Sequence, residues 1–83
     1  MAKKRTKKPV LFIEVTEMDS SNLDSLYYDV KKKSLKVTFK NGGIYEYQEV
    51  TRDEVNEILE ADSMGSTFNR ICIKGSKKFY KLN

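Results

Sequence analysis

Among side chains capable of covalent or acid–base chemistry, the sequence offers serines, lysines, tyrosines, carboxylates and one cysteine, Cys72, but no histidine. Without imidazole, the common serine, cysteine and metal-hydrolase constellations lose their base. One cysteine cannot close an intramolecular disulfide, and with no histidine it cannot complete a Cys/His zinc site. No metal or other cofactor is therefore expected. Ser20, Ser21 and Ser63 can be drawn as partners of Lys74 in a serine–lysine pair. Hydroxyls in turns and helix caps account for the same serines with less. Cys72 has only Arg70 and Lys74 nearby in sequence to lower its pKa, and it reads as a small buried hydrophobe. The expectation is a chain without catalytic residues.

What remains is ionic and aromatic chemistry, and its distribution is uneven. Residues 1–9 hold Lys3, Lys4, Arg5, Lys7 and Lys8 with no acid, and residues 70–83 hold Arg70, Lys74, Lys77, Lys78 and Lys81 with no acid. Between them six basic residues face twelve acidic ones, within a net charge of +4. A polyanion is drawn to the two ends and repelled by much of the middle. Lysine and arginine on phosphates, with bases stacked on exposed aromatics, is the chemistry of single-strand binders. The expected nucleic-acid-binding set is Lys3, Lys4, Arg5, Lys7, Lys8, Arg70, Lys74, Lys77, Lys78 and Tyr80, acting on RNA or another single strand. No RNP, Walker or helix-turn-helix motif accompanies it, and terminal lysines also serve solubility alone.

These residues must be positioned by a small scaffold. Eighty-three residues make one core. With 34% charged and 39% hydrophobic residues, the chain is too apolar for a disordered tail and too polar for a membrane protein. Met1–Lys8 has nothing to bury and is expected to be a disordered basic arm, with residues 10–83 forming a single domain. The arm has no apolar run, so it is not a signal peptide, and no segment approaches membrane-spanning length. A cytoplasmic protein without a membrane partner is expected.

From Val10 to Gln48 the pattern is that of strands. In Val10–Met18, Leu11, Ile13 and Val15 share one face, and the Asp19-Ser20-Ser21-Asn22 cluster makes a turn. Leu26, Tyr28 and Val30 then face the core, as do Leu35, Val37 and Phe39 in Leu35–Lys40, giving a half-buried hairpin. Pairing Val30 with Leu35 leaves a four-residue loop, Lys31–Ser34. A two-residue Asn41-Gly42 turn would set Glu46 among core residues. A three-residue loop, Asn41-Gly42-Gly43, instead pairs Phe39 with Tyr45 and Val37 with Tyr47.

Thr51 and Glu54 have capping-box spacing, with Val50 and Val55 at hydrophobic-staple positions. Val55, Ile58 and Leu59 form an apolar stripe, and the other helix face carries Asp53, Glu54, Glu57, Glu60 and Asp62. Ser63 or Ser66 can cap a second helix whose inner face holds Met64, Phe68, Ile71 and Cys72, with Gly75 as its stop. Phe79, Tyr80 and Leu82 close the chain as a short strand or docked tail. The expected class is α+β: an antiparallel meander of three to four strands packed by two C-terminal helices. Its inner set is Tyr28, Val37, Phe39, Tyr45, Tyr47, Ile58, Leu59 and Phe68.

The run Ser20-Ser21-Asn22-Leu23, Tyr28-Asp29, Leu35, Val37, Phe39, Gly43, Tyr45, Tyr47, Ala61-Asp62-Ser63-Met64-Gly65, Phe68-Asn69 and Ile73-Lys74 resembles the KTSC domain over residues 19–80. That family is named for its occurrence at the C-terminus of some lysyl-tRNA synthetases. The resemblance implies a compact α+β module, common as a stand-alone protein of bacteria or phages, with no established enzymatic activity. Its fusion to synthetases suggests RNA binding. The arm and the Val10–Met18 segment lie outside the resemblance. The competing expectation is a protein-binding module, such as a phage-encoded modulator of a host factor, working through the acidic helix or a strand edge.

Overall fold

A computed structural model describes residues 10–83. The expectation of a disordered arm, and five of the basic site residues, Lys3, Lys4, Arg5, Lys7 and Lys8, lie outside the described residues. The elements are β1 (Phe12–Val15), β2 (Leu23–Asp29), β3 (Ser34–Phe39), β4 (Ile44–Tyr47), α1 (Arg52–Glu60), α2 (Met64–Phe68) and β5 (Phe79–Lys81). A π-helical segment, Asn69–Lys74, continues α2 without a break. The strands form one antiparallel sheet in the order β1-β2-β3-β4-β5. The α+β meander stands, with five strands rather than three to four, because Phe79–Lys81 pairs with β4 instead of only docking.

The register differs from the expected one by two residues at both hairpins, which keeps every side chain on its expected face. Tyr28 pairs with Leu35 and Leu26 with Val37, so the first loop is Val30–Lys33. Val37 pairs with Tyr45 and Leu35 with Tyr47. The second loop does have three residues, Lys40-Asn41-Gly42, closed by Phe39 N–H on the Gly43 carbonyl at 2.8 Å. Its left-handed position falls on Gly42, φ +98°. The first strand is shorter than Val10–Met18, and the chain turns away at Glu17, φ +53°.

Tyr28, Val37, Tyr47, Ile58 and Phe68 are buried as expected, whereas Phe39, Tyr45 and Leu59 are only partly covered at the edge of the core. Leu23, just after the expected turn, and Met18, at the end of the expected first strand, were not in the inner set and are buried as well. Leu23 begins β2 three residues early through an irregularity between Leu23 and Ser25. The capping box is present in both directions: Thr51 Oγ1 accepts from the Glu54 amide at 3.1 Å, and Glu54 Oε1 accepts from the Thr51 amide at 2.9 Å. Val50 and Val55 are both fully buried beside it. The Tyr28 hydroxyl, in the same layer, donates to the Val50 carbonyl, which satisfies the one polar atom that this side chain carries into the core.

Gly75 does end the helical run, but through space rather than backbone freedom. Its φ is an ordinary −75°, and the left-handed position is taken by Ser76, φ +58°. A Cβ on Gly75 would lie 2.1 Å from the Ile71 carbonyl oxygen, so only glycine lets the chain turn here toward β5.

Candidate nucleic-acid interface

The helices cover the sheet face that carries Leu26, Tyr28, Leu35, Val37 and Tyr47. Alternation sends their strand neighbours to the opposite face. Register sets five of these in one cross-strand row: Glu14 opposite Tyr27, Tyr27 opposite Lys36, Lys36 opposite Glu46, and Glu46 opposite Tyr80. Three strand steps at about 4.8 Å put Tyr27 and Tyr80 about 14 Å apart.

Each tyrosine of the row belongs to a cation–aromatic pair. The Lys36 ammonium lies 5.4 Å from the Tyr27 ring centre and the Lys78 ammonium 5.9 Å from that of Tyr80. Phe12 adds a third ring, 5.5 Å from Tyr27. Phe12 and Tyr80 are each about half exposed, at 51%. A shallow depression of about 180 Å³ lies along the row, lined by Tyr27, Asp29, Lys32, Ser34, Lys36 and Glu46. The face thus offers separate stacking surfaces with ammonium groups next to them. Its acids are partly occupied: Glu46 accepts from the Gln48 side-chain Nε2 at 2.8 Å, and Asp29 accepts from the backbone of Lys31 and Lys32 at 3.0 Å each.

The residues expected from sequence divide in two. Tyr80, Lys78 and Lys74 are exposed, and Tyr80 and Lys78 lie at the open face. Lys77 is already committed. Its ammonium donates to the Glu49 carbonyl at 2.8 Å and pairs with Glu54 at 3.0 Å, with the side chain 19% exposed. Arg70 pairs with Glu57 on the helical side of the molecule, at an exposed site where water competes for both groups. Neither joins the row. Two of the acids expected to give α1 its negative face, Glu54 and Glu57, are the partners of these bases. Burial pushes the Glu54 carboxyl up, but the Thr51 amide and the Lys77 ammonium outweigh it and hold the group below its ordinary 4.5.

Sequence reasoning did not single out Tyr27, Phe12 and Lys36, which the structure places on the open sheet face. The signal was there: once Tyr28 and Val37 are core residues, alternation makes Tyr27 and Lys36 outward-facing neighbours. Cys72 is buried, and burial first, then the charge of Glu54, pushes its thiol up to about 12. It is held as the neutral thiol at neutral pH, the less nucleophilic of its two forms. Among the described residues, no three of Asp, Glu, Cys and His are grouped as metal ligands, and no helix is long and apolar enough to cross a membrane.

Part of the set that carries the family resemblance, including Ser20, Asn22, Ser63, Gly65 and Asn69, meets elsewhere, at a groove of about 630 Å³ between the β1–β2 turn and the start of α2. Ser20 Oγ accepts from the Leu23 amide at 3.2 Å and donates to Asn22 Oδ1 at 3.0 Å. Ser63 caps α2 by accepting from the Ser66 amide at 3.3 Å. A Cβ on Gly65 would lie 2.6 Å from Asn22 Oδ1, so Ser20, Asn22 and Gly65 interlock. This pattern closes the turn against the helix.

Comparison with known proteins agrees with this geometry. Residues 19–76 match the KTSC domain family, and the chain belongs to it. An uncharacterised protein of Stutzerimonas stutzeri is 35% identical over 66 residues, spanning 80% of this chain and 93% of that one. A lysine–tRNA ligase of Nostoc punctiforme is 29% identical over 76 residues, 92% of this chain but only 13% of the ligase. The crystal structure of a KTSC domain protein from Yersinia pestis superposes with a TM-score of 0.76 at 26% identity, covering 87% of this chain and 99% of that chain.

Proposed function

We propose that this KTSC domain is a non-enzymatic module that binds RNA or other single-stranded nucleic acid across its open sheet face. Bases stack on Tyr27, Tyr80 and Phe12, while Lys36, Lys78 and Lys32 meet phosphates, and the arm residues Lys3, Lys4, Arg5, Lys7 and Lys8 add phosphate contacts. The observation that carries the reading is the uncovered row in which each of two tyrosine rings has a lysine ammonium within 6 Å. Exposed rings on a sheet recognise unpaired bases, whose faces are inaccessible in a duplex. A relative that is named a lysine–tRNA ligase and contains a segment similar to this chain supports RNA as the strand. Arg70 and Lys77 take a structural role here, since their charges are paired with Glu57 and Glu54.

The test is fluorescence anisotropy with labelled RNA, single-stranded DNA and duplex DNA of one sequence, across a salt series. Single strands should bind more tightly than duplex. Tyr27→Ala and Tyr80→Ala should each weaken binding by roughly 5- to 150-fold, from about 1–3 kcal/mol per stacked base. Deleting residues 1–8 should flatten the slope of log K against log salt by up to about 3.5, at about 0.7 per phosphate contact. No binding at low salt, or binding indifferent to both tyrosines, overturns the reading.

A further inference from the structure

Both sheet edges expose apolar side chains, but only one edge is protected against strand addition. Around β5 stand the exposed Lys78 and Lys81, and lysines on an edge strand oppose pairing with another chain. Around β1, residues 10–16 carry a single charge, Glu14, and Val10, Leu11 and Phe12 are 45%, 52% and 51% exposed in succession. The backbone is unpaired there too. The Val30 amide donates to the Leu11 carbonyl at 3.0 Å, so the alternate residues Phe12 and Glu14 direct their N–H and C=O groups away from β2.

We propose that β1 is the seam of a symmetric dimer, in which the β1 strands of two copies pair antiparallel and extend the sheet across both chains. Charge selects the occupant and its direction. The segment before β1 carries five basic residues and no acid, whereas Glu14, Glu17 and Asp19 lie in and after it. An antiparallel pair sets each basic flank beside the acidic flank of the other copy, while a parallel pair sets basic flank against basic flank. A register with Phe12 opposite Phe12 of the second copy also puts Leu11 opposite Ile13, extending the apolar layer where Ile13 is only partly covered. The pairing is isologous and closes at two chains. Joining β1 to β5 would be heterologous, meeting the lysines and propagating as a fibre.

The experiment is sedimentation velocity of the full chain without nucleic acid, up to about 0.5 mM, a range that populates dimers with a dissociation constant of about 0.1 mM. A species of twice 9.7 kDa is expected for the native sequence. Phe12→Lys should raise the dissociation constant at least about tenfold. Glu14→Pro should do the same, because it removes an outward N–H and leaves the β1–β2 ladder its bonds. Circular dichroism reports folding, and if the proline variant unfolds the lysine variant alone decides. Tyr80→Lys, at the other edge, should leave the dimer intact. A 9.7 kDa species throughout, a dimer unaffected by Phe12→Lys, or a dimer lost only with Tyr80→Lys overturns the proposal.

Discussion

Replacing Gly75 with alanine adds one methyl group where the chain leaves the π-helical segment. That methyl would meet the Ile71 carbonyl oxygen at 2.1 Å, 1.3 Å short of the 3.4 Å at which ordinary contact begins. Ile71 is buried in the core, so the strain falls on the turn. Turning Gly75 away strains two backbone bonds, Ser76 N–H to the Ile73 carbonyl and Lys77 N–H to the Cys72 carbonyl, each 3.1 Å. Two such bonds at about 0.5–1.5 kcal/mol each, with an overpacking cost of about 1–3 kcal/mol, exceed the 0.4–1 kcal/mol that alanine gains by restricting the unfolded chain. The net expectation is destabilisation by about 1–5 kcal/mol, set against the roughly 4–12 kcal/mol typical of a domain this size. Urea unfolding followed by circular dichroism measures it directly, with the midpoint falling by about 1–3 M. Ser76→Gly is the companion variant: it relieves the left-handed position and should be neutral or stabilising by up to about 1 kcal/mol. A Gly75→Ala midpoint equal to that of the native chain would refute the close-approach argument.

The capping box and core give further expectations. Glu54 has its folded pKa held below the ordinary 4.5, so its contribution is fully present above that value and is lost as pH falls through the folded value. Glu54→Gln should therefore be less stable than the native chain at pH 7, and the gap between their urea midpoints should close on acidification. Thr51→Ala should cost about 1 kcal/mol in the same assay. Ile58→Ala, at a fully buried position, should cost about 2–5 kcal/mol. Leu59→Ala should cost less than Ile58→Ala, because Leu59 is only partly covered, and the reverse order would contradict the burial described here.

The fold was legible wherever one local pattern decided it. Thr51, Glu54, Val50 and Val55 announce the start of α1 without tertiary information, and the alternation of Tyr28, Val37, Tyr45 and Tyr47 assigns the sheet faces. Register was less legible because a shift of two residues preserves alternation: Val37 faces the same side whether it meets Tyr45 or Tyr47. Lys40-Asn41-Gly42 and Asn41-Gly42-Gly43 each supply a glycine for the left-handed position, so that requirement does not separate them. Leu23 was hidden behind the turn-forming cluster of residues 19–22, and Met18 was legible as a strand end but not as a core residue. At the candidate site, the sequence shows how many charges there are but not which are already paired. Lys77 and Lys78 are adjacent and chemically alike, yet one is tied to Glu49 and Glu54 while the other stands over Tyr80. That distinction depends on residues 23 or more positions away, brought close only by the fold.

The central claim is that a single strand lies on the open sheet face, and amide chemical-shift mapping during titration with a short unlabelled RNA tests it residue by residue. Perturbations should concentrate at Phe12, Tyr27, Lys36, Lys78 and Tyr80, while Glu57, Glu60 and the rest of the exposed face of α1 stay unmoved. Shifts confined to α1, or to the groove between Asn22 and Gly65, with the sheet row silent, would contradict the account.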